Sequence, residues 1–356
     1  MDVTTALRSL GPGWFALVMA TGIVSTAAAR QGLAPISTAT LVVAAVAFPV
    51  LAVLSLLRAW LRPALVRDEL TSPRHAFAAF AVVAGAAVLG ERLYEQGAEA
   101  VALALLAVAA LGWLVLGYAI PSLVIVTAGK SGLADADGTW LLWVVATQGI
   151  STGTSMVAPP TGALGEAAAA GAVTTWAVGV VLYAVLLTLL LVRLLTAPVR
   201  PHELTTPYWI IMGATAISVL AGSRILELDR ELPVVRVAAP VVEGTSLLLW
   251  SFGTWTIPLL VLLGFWRHVL RRDRLTYTPQ LWALVFPLGM YSVATAEFGG
   301  VTGLRFMAVV ARIEFWPALA AWVAVFAAMV VSLARAGRRG PQARCAGARP
   351  RPTLDR

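Results

Sequence analysis

Long uncharged apolar segments constrain this chain more than any other feature of its sequence. Residues 36–57, 101–126, 167–192 and 244–266 contain no charged side chain, and about 20 apolar residues are enough for a helix to cross a bilayer. Only 12% of the 356 residues are charged, whereas a soluble domain carries about 25%. The segments lack the alternation of barrel strands, so within lipid they must be helices. The sequence therefore predicts an all-α integral membrane protein and excludes a soluble fold.

Ten membrane spans can be placed along the chain. Lys and Arg number 19 on the side of the two termini and 7 on the other side, or 12 against 7 without the last 22 residues. The positive-inside rule then predicts a multi-pass protein of the cell inner (plasma) membrane with both termini in the cytoplasm. The first span resembles a secretory signal, but nine further spans favour an uncleaved helix. The predicted spans are residues 14–30, 36–58, 74–91, 99–127, 139–158, 170–195, 207–223, 240–266, 279–297 and 313–334.

The ends of the chain and its rare residues define the domain organisation. Residues 1–334 form one predicted transmembrane domain, and residues 335–356, with seven arginines and three prolines, form a predicted disordered basic cytoplasmic tail. The single cysteine, Cys345, excludes an intrachain disulfide, and three scattered histidines argue against a metal site. We expect no cofactor and no catalytic residue. The basic residues lie between the apolar segments as topology signals, so we expect a lipid bilayer and no nucleic acid as partner.

A repeat marks the start of several odd-numbered spans. A Pro, Gly or Thr precedes a Trp, and apolar residues with Ala-Thr or Pro-Leu-Gly follow, whereas the third span keeps Pro73 but has no Trp. Repetition in alternate spans predicts five helical hairpins in a ring, with odd helices inside and even helices outside. The alternative is ordinary interfacial tryptophan. The matches are PGWFALVMATG at Pro12, GTWLLWVVATQG at Gly138, TPYWIIMGATA at Thr206 and TPQLWALVFPLG at Thr278.

Polar residues inside the spans are candidate functional groups, because they are costly in lipid. The fifth span carries Thr147, Gln148 and Ser151, whose dipoles can replace part of an ion's hydration without trapping the ion. The alternative is that these hydroxyls bond to carbonyls of the preceding turn. Glu243 and Glu297 are candidates for proton coupling, or else interfacial or paired carboxylates.

The ninth span contains a break beside a large aromatic residue. Pro287 lies in the middle of the span, where it removes a backbone hydrogen bond. The neighbouring Phe286 either plugs a narrow pore or packs in the core. No phosphate-binding loop, zinc-hydrolase or serine-hydrolase motif is present, so we predict that the protein is not an enzyme.

Four strings carry a family resemblance across residues 11–333. GPGWFALVMATGIVS, PYWIIMGATAISVLAG, LLWSFGTWTIPLLVLLGFWRH and LWALVFPLGMYSVAT are similar to segments of the tellurite-resistance and C4-dicarboxylate transporter family. That family includes slow anion channels, malate permeases and sulfite exporters. The sequence departs from the usual first-helix MGTG by having Ala20, while Gly22 is retained.

The resemblance implies a fold and a set of pore residues. Ten helices as five hairpins with quasi-fivefold symmetry would surround a central pore lined by the odd helices, one pore in each subunit of a homotrimer. The match to VFPLG makes Phe286 the implied pore gate. The implied pore-lining residues are Thr21, Gly22, Thr147, Gln148, Ser151, Thr215, Pro287 and Gly289.

The leading functional hypothesis is an anion channel or exporter with a phenylalanine gate. Its implied cargo is a small inorganic or dicarboxylate anion such as sulfite, chloride or a C4-dicarboxylate. One alternative is a proton-coupled C4-dicarboxylate (malate) carrier that uses Glu243 or Glu297. A membrane enzyme or sensor is the remaining alternative, although the short loops leave little room for a catalytic region.

Overall fold

The computed structural model of the chain describes residues 10–127, 133–197, 200 and 203–338, with side chains to residue 336. Ten long helices, labelled α1 to α10, occupy the ten predicted spans, and a short helix, Pro63–Thr71, lies between α2 and α3. The long helices are α1 Ala16–Arg30, α2 Ala34–Leu61, α3 Phe80–Glu95, α4 Glu99–Thr127, α5 Leu142–Val157, α6 Gly162–Thr196, α7 Ile210–Leu226, α8 Pro233–Phe265, α9 Trp282–Thr302 and α10 Arg305–Arg338.

Odd and even helices differ in length and burial. The odd helices have 15 to 21 residues and the even helices 28 to 35. In the apolar windows of α1, α3, α7 and α9, 72–83% of the residues are buried, against 11–22% in the even helices. The even helices therefore present their apolar side chains to lipid, and the odd helices are inside.

The inner helices form a closed ring. Each one packs against the next in the order α1, α3, α5, α7, α9, and α9 packs against α1. Each inner helix also packs against the outer helix that follows it in the chain. This arrangement confirms the predicted all-α fold of five hairpins, with alternate helices inside.

A 3₁₀ turn precedes every inner helix at the site of the sequence repeat, and the third span, which has no Trp, has one too. Neighbouring turns contact one another in the same cyclic order as the helices. Gly138 is required there, because a Cβ atom at this position would lie 2.1 Å from the carbonyl oxygen of Pro207 in the next turn. The turns are Pro12–Phe15, Ala76–Ala79, Gly138–Leu141, Thr206–Trp209 and Pro279–Leu281.

The described helices differ from the predicted spans in several details, and the outer helices α6, α8 and α10 begin seven or eight residues before their predicted starts. Within the described part of the chain, nine helices are long and apolar enough to cross a membrane; α5 is the tenth long helix, and its hydroxyl and amide side chains lower its hydropathy. Inner helices α3 and α7 continue four and three residues beyond their predicted ends, through charged residues, and α9 continues five uncharged residues beyond Glu297. Helix α10 extends through Arg338, and the rest of the predicted tail, residues 339–356, lies outside the described residues.

Candidate functional site

A cavity of about 310 Å³ lies at the N-terminal end of the inner ring. All five inner helices contribute a side chain from their first turn, so the cavity lies on the axis that relates the hairpins. We call it the vestibule. These five lining residues are Ala16, Ala81, Leu142, Ile210 and Ala283.

The electrostatics of the vestibule combine helix N-termini with side chains of both signs. Five inner helices begin at its wall, and each N-terminus carries a partial positive charge of about +0.5. Arg193 donates to the hydroxyl of Tyr208 at 2.6 Å and lies 3.5 Å from Glu203. Burial raises the pKa of the Asp137 carboxyl, and hydrogen bonds from Thr139 partly oppose that shift. The charged side chains that line the vestibule are Arg74 and Arg193 against Glu69, Asp135, Asp137 and Glu203. These side chains give no positive excess, so the positive potential comes from the helix termini.

Phe286 lies one turn beyond the vestibule residue Ala283 on α9. Its side chain is fully buried. Other faces of α9 are occupied by neighbours: Gly289 lies against α1, Pro287 against α7, and Ser292 bonds to a carbonyl of α10. Helical periodicity leaves the face with Ala283 and Phe286 toward the centre of the ring.

The predicted hydroxyl positions contact the outer helices. Trp322 of α10 donates to Thr21 at 3.0 Å, and Trp113 of α4 donates to Thr147 at 2.9 Å. Thr215 lies against α8, because a Cβ atom at Gly253 of α8 would be 2.4 Å from the hydroxyl oxygen of Thr215. These contacts argue against the predicted place of the three threonines in a pore wall, because their hydroxyls already bond within the helix shell.

The other predicted lining residues also contact neighbouring helices. Gln148 donates to the carbonyl of Trp176 on α6 at 3.1 Å, and Ser151 donates to that of Ala172 at 2.8 Å. Gly22 is a contact point with α3, since a Cβ there would lie 2.9 Å from Val88. These residues, with Pro287 and Gly289, pack the ring together, which explains the small residues at the helix crossings.

A closed cycle of ion pairs lies at the C-terminal end of the inner ring. Arg30 of α1 contacts Glu95 of α3 at 2.9 Å and Glu297 of α9 at 2.8 Å. Arg224 of α7 contacts the same two carboxylates at 3.3 Å and 3.9 Å. Charges of alternating sign thus join four of the five inner helices. We call these four residues the charge cycle.

Further polar groups surround the charge cycle. Arg92 pairs with Glu95 at 3.0 Å and donates to the hydroxyls of Ser25 and Ser37, which fixes α3 to the first hairpin. Thr152 of α5 donates to a carboxylate oxygen of Glu91 on α3. Of the two predicted proton-coupling residues, Glu297 lies in the charge cycle, whereas Glu243 is exposed on the outer surface of α8.

Most of the charge cycle was not predicted from the sequence. Arg30, Glu95 and Arg224 lie at the ends of inner helices, and charged residues at such positions usually mark the end of a span. The repeat contains the missing signal: each charge-cycle residue lies fourteen positions after a vestibule residue of its own helix, close to four turns of 3.6 residues. Four turns counted from the vestibule residue of each helix therefore reach the charged residue.

Comparison with known proteins identifies the family. The chain matches the family SLAC1, described as voltage-dependent anion channel, over residues 9–330. An uncharacterized membrane protein of Mycobacterium tuberculosis is 44% identical over 168 residues, which are 47% of this chain and 85% of that protein. An uncharacterized transporter of Methanocaldococcus jannaschii is 22% identical over 148 residues, 42% of each chain. The predicted family resemblance is confirmed, and the chain belongs to the voltage-dependent anion channel family.

Proposed function

We propose that the protein conducts small anions through the centre of the inner ring and that Phe286 is the gate. The observation that carries the proposal is the position of Phe286: fully buried, it lies one turn beyond the vestibule at which five helix N-termini meet. Fixed dipoles attract an anion without the strong binding of a full countercharge, and conduction requires weak binding. The membership in an anion channel family supports the same function.

The proposed conduit has three parts along the ring axis. The vestibule opens at the N-terminal end, and Phe286, Met290 and Val293 follow on one face of α9 as an apolar segment. Glu297 ends that face at the charge cycle, roughly 16 Å beyond Phe286 at 1.5 Å per residue. In the proposed topology both termini lie on the cytoplasmic side of the plasma membrane. The inner helices begin on that side, so the vestibule faces the cytoplasm. Sulfite, chloride and C4-dicarboxylates are the proposed cargo, and each subunit of a proposed homotrimer holds one conduit.

The gate is tested by liposome flux with a matched control. Phe286→Ala is expected to raise nitrate and chloride flux well above that of the wild-type protein, because it removes the aromatic ring from the conduit. Phe298→Ala is the control, since Phe298 is equally buried on the same helix but lies about a third of a turn away from Phe286. Folded Phe286→Ala protein that passes no anion above empty vesicles would contradict the proposal, as would equal flux in the two variants.

A proton-coupled dicarboxylate carrier is the second candidate, and the position of Glu297 favours it. This carboxylate lies on the face of α9 that carries Phe286 and between two arginines. Malate uptake driven by a pH gradient and abolished by Glu297→Gln would support the carrier. Glu243→Gln serves as its control, because Glu243 is exposed outside the ring.

A further inference from the structure

The charge cycle crosses the mouth of the inner ring. Helices α3 and α7 are not neighbours in the ring, because α5 lies between them. The contact of 3.3 Å between Arg224 of α7 and Glu95 of α3 therefore spans the opening. The other three contacts of the charge cycle join adjacent helices, so the four side chains form a closed loop over the C-terminal mouth.

The repeat places the charge cycle on the same axis as the vestibule. Fourteen residues separate Ala16 from Arg30, Ala81 from Glu95, Ile210 from Arg224 and Ala283 from Glu297. The same step on α5 leads from Leu142 to Met156, which lines an open depression of about 540 Å³ with Arg30, Glu95 and Arg224. Fourteen residues are close to four helical turns and span roughly 21 Å. All five helices thus present equivalent positions at the two ends of one passage.

The chemistry of the cycle indicates which ligand it takes. Each arginine contacts both carboxylate groups of the cycle, those of Glu95 and Glu297, and Arg224 also contacts Glu227. The guanidinium group matches the two-oxygen edge of a carboxylate or a planar oxyanion. At Glu297 the contact with Arg30 Nε is an ion pair at 2.8 Å without hydrogen-bond alignment. The glutamates therefore occupy the place that a carboxylate or oxyanion ligand would take.

We propose that the charge cycle is a second closure of the conduit and that Arg30 and Arg224 form an anion-binding site. A carboxylate or planar oxyanion displaces Glu95 and Glu297 from the arginines, which removes the bond across the mouth and lets the anion pass. The inference rests on the proposed anion conduction, and it adds a site at which the dicarboxylates among the proposed cargo compete with the protein's own carboxylates.

The first experiment measures flux with the Phe286 gate removed. In a Phe286→Ala background, Glu95→Gln with Glu297→Gln is expected to raise nitrate flux about tenfold, which corresponds to a barrier lower by about 1.4 kcal/mol, since it removes the ion pairs across the mouth. Glu227→Gln is the matched control: Glu227, the residue that follows α7, also pairs with Arg224, at 3.1 Å, but lies outside the cycle. Equal flux in the control and the double substitution overturns the second closure.

The second experiment measures selectivity in the same background. Arg224→Gln is expected to lower the permeability ratio of nitrate to chloride and that of anions to potassium. Unchanged ratios overturn the binding site. Binding of sodium nitrate is also measured, by thermal unfolding in detergent, where nitrate is expected to stabilise the Glu95→Gln and Glu297→Gln protein at lower concentration than chloride does.

The outcomes separate the two proposals. No anion flux in folded Phe286→Ala protein contradicts the proposed function, and the inference fails with it. If Phe286→Ala protein conducts anions and no charge-cycle substitution changes that flux, the proposed function stands. Only the inference is then overturned. If the double substitution does not fold, Glu297→Gln alone is expected to raise flux about threefold, and no increase overturns the closure.

Discussion

Gly213 on α7 lies against the ring of Pro287 on α9, where a Cβ atom at Gly213 would be 2.8 Å from Cγ of Pro287 and 3.1 Å from its Cβ. Pro287 is rigid, and both helices belong to the closed ring. Gly213→Ala is therefore expected to lower the free energy of unfolding by about 1–3 kcal/mol, the usual cost of overpacking. SDS titration of the protein in mixed micelles measures the change.

Gly244 on α8 provides the control for this contact. A Cβ atom there would meet nothing within 4 Å, so Gly244→Ala is expected to leave the free energy unchanged or raise it by up to about 1 kcal/mol, through the loss of backbone entropy in the unfolded chain. The two substitutions thus have opposite expected signs. A Gly213→Ala protein as stable as Gly244→Ala would show that the helix crossing relaxes without cost.

The sequence predicted the hairpin ring because alternate helices have different environments. Four of the five inner 3₁₀ turns combine Pro, Gly or Thr with a tryptophan in the turn or directly after it, and that pattern recurs at Pro12, Gly138, Thr206 and Thr278. It did not predict the direction of single hydroxyl groups. Thr21 and Thr147 face outer helices because tryptophans far away in the chain donate to them, and such long-range partners have no local sequence signal.

The hydroxyl of Thr147 is expected to contribute to stability rather than to conduction. It accepts a bond from Trp113 and donates to the carbonyl of Trp143 at 2.8 Å. Thr147→Val leaves the indole N–H without a partner, so the free energy of unfolding should fall by about 0.5–2 kcal/mol. In the Phe286→Ala background, nitrate and chloride flux should stay unchanged.

Thr175→Val on α6 is the control for that substitution. The Thr175 hydroxyl bonds only to carbonyls of its own helix, at 2.8 and 3.1 Å, so the expected loss is below about 0.5 kcal/mol. Reduced anion flux in Thr147→Val with normal stability would return Thr147 to the pore wall.

The charged residues at the ends of the inner helices are the part of the site that the sequence did not predict. Prediction of a span stops at a charged residue, because a lone charge in lipid is costly. In this fold the charged residues at the ends of the inner helices neutralise one another, so α3 and α7 continue through Glu95 and Arg224. Pairing between helices distant in the sequence decides where these helices end.

Replacement of Arg92 is expected to change mainly stability, whereas replacement of Arg30 is expected to change ion selectivity. Arg92 is buried and bonds to Ser25, Ser37 and Glu95, whereas the side chain of Arg30 is 40% exposed. Arg92→Gln should therefore cost about 2–4 kcal/mol of stability and leave the ion selectivity of folded protein in the Phe286→Ala background unchanged. Arg30→Gln should cost at most about 1 kcal/mol and lower the selectivity. The same effect of both substitutions on selectivity would contradict the distinction.

Asp137 at the vestibule is expected to make stability depend on pH. Its carboxylate accepts bonds from the backbone N–H of Thr139 at 2.9 Å and from the Thr139 hydroxyl at 2.5 Å, and burial raises its pKa above the ordinary value of 3.8. The folded protein then holds more protons than the unfolded chain between those two pKa values, so stability falls as pH rises through that interval. Above that pH interval, burial of the ionised Asp137 carboxylate remains a net cost to the stability of the folded protein.

Asp137→Asn tests this dependence because the amide oxygen can still accept the bonds from Thr139. The variant is expected to unfold at a higher temperature than the wild-type protein at pH 7, and the difference should shrink as pH falls toward 3.8, where the wild-type carboxyl becomes protonated in both states. Asp68→Asn on the short helix is the control, since Asp68 is exposed and its replacement should change stability by less than about 0.5 kcal/mol. Thermal unfolding in detergent across this pH range measures both. A difference between wild type and Asp137→Asn that grows as pH falls would show that the ionised carboxylate stabilises the turn.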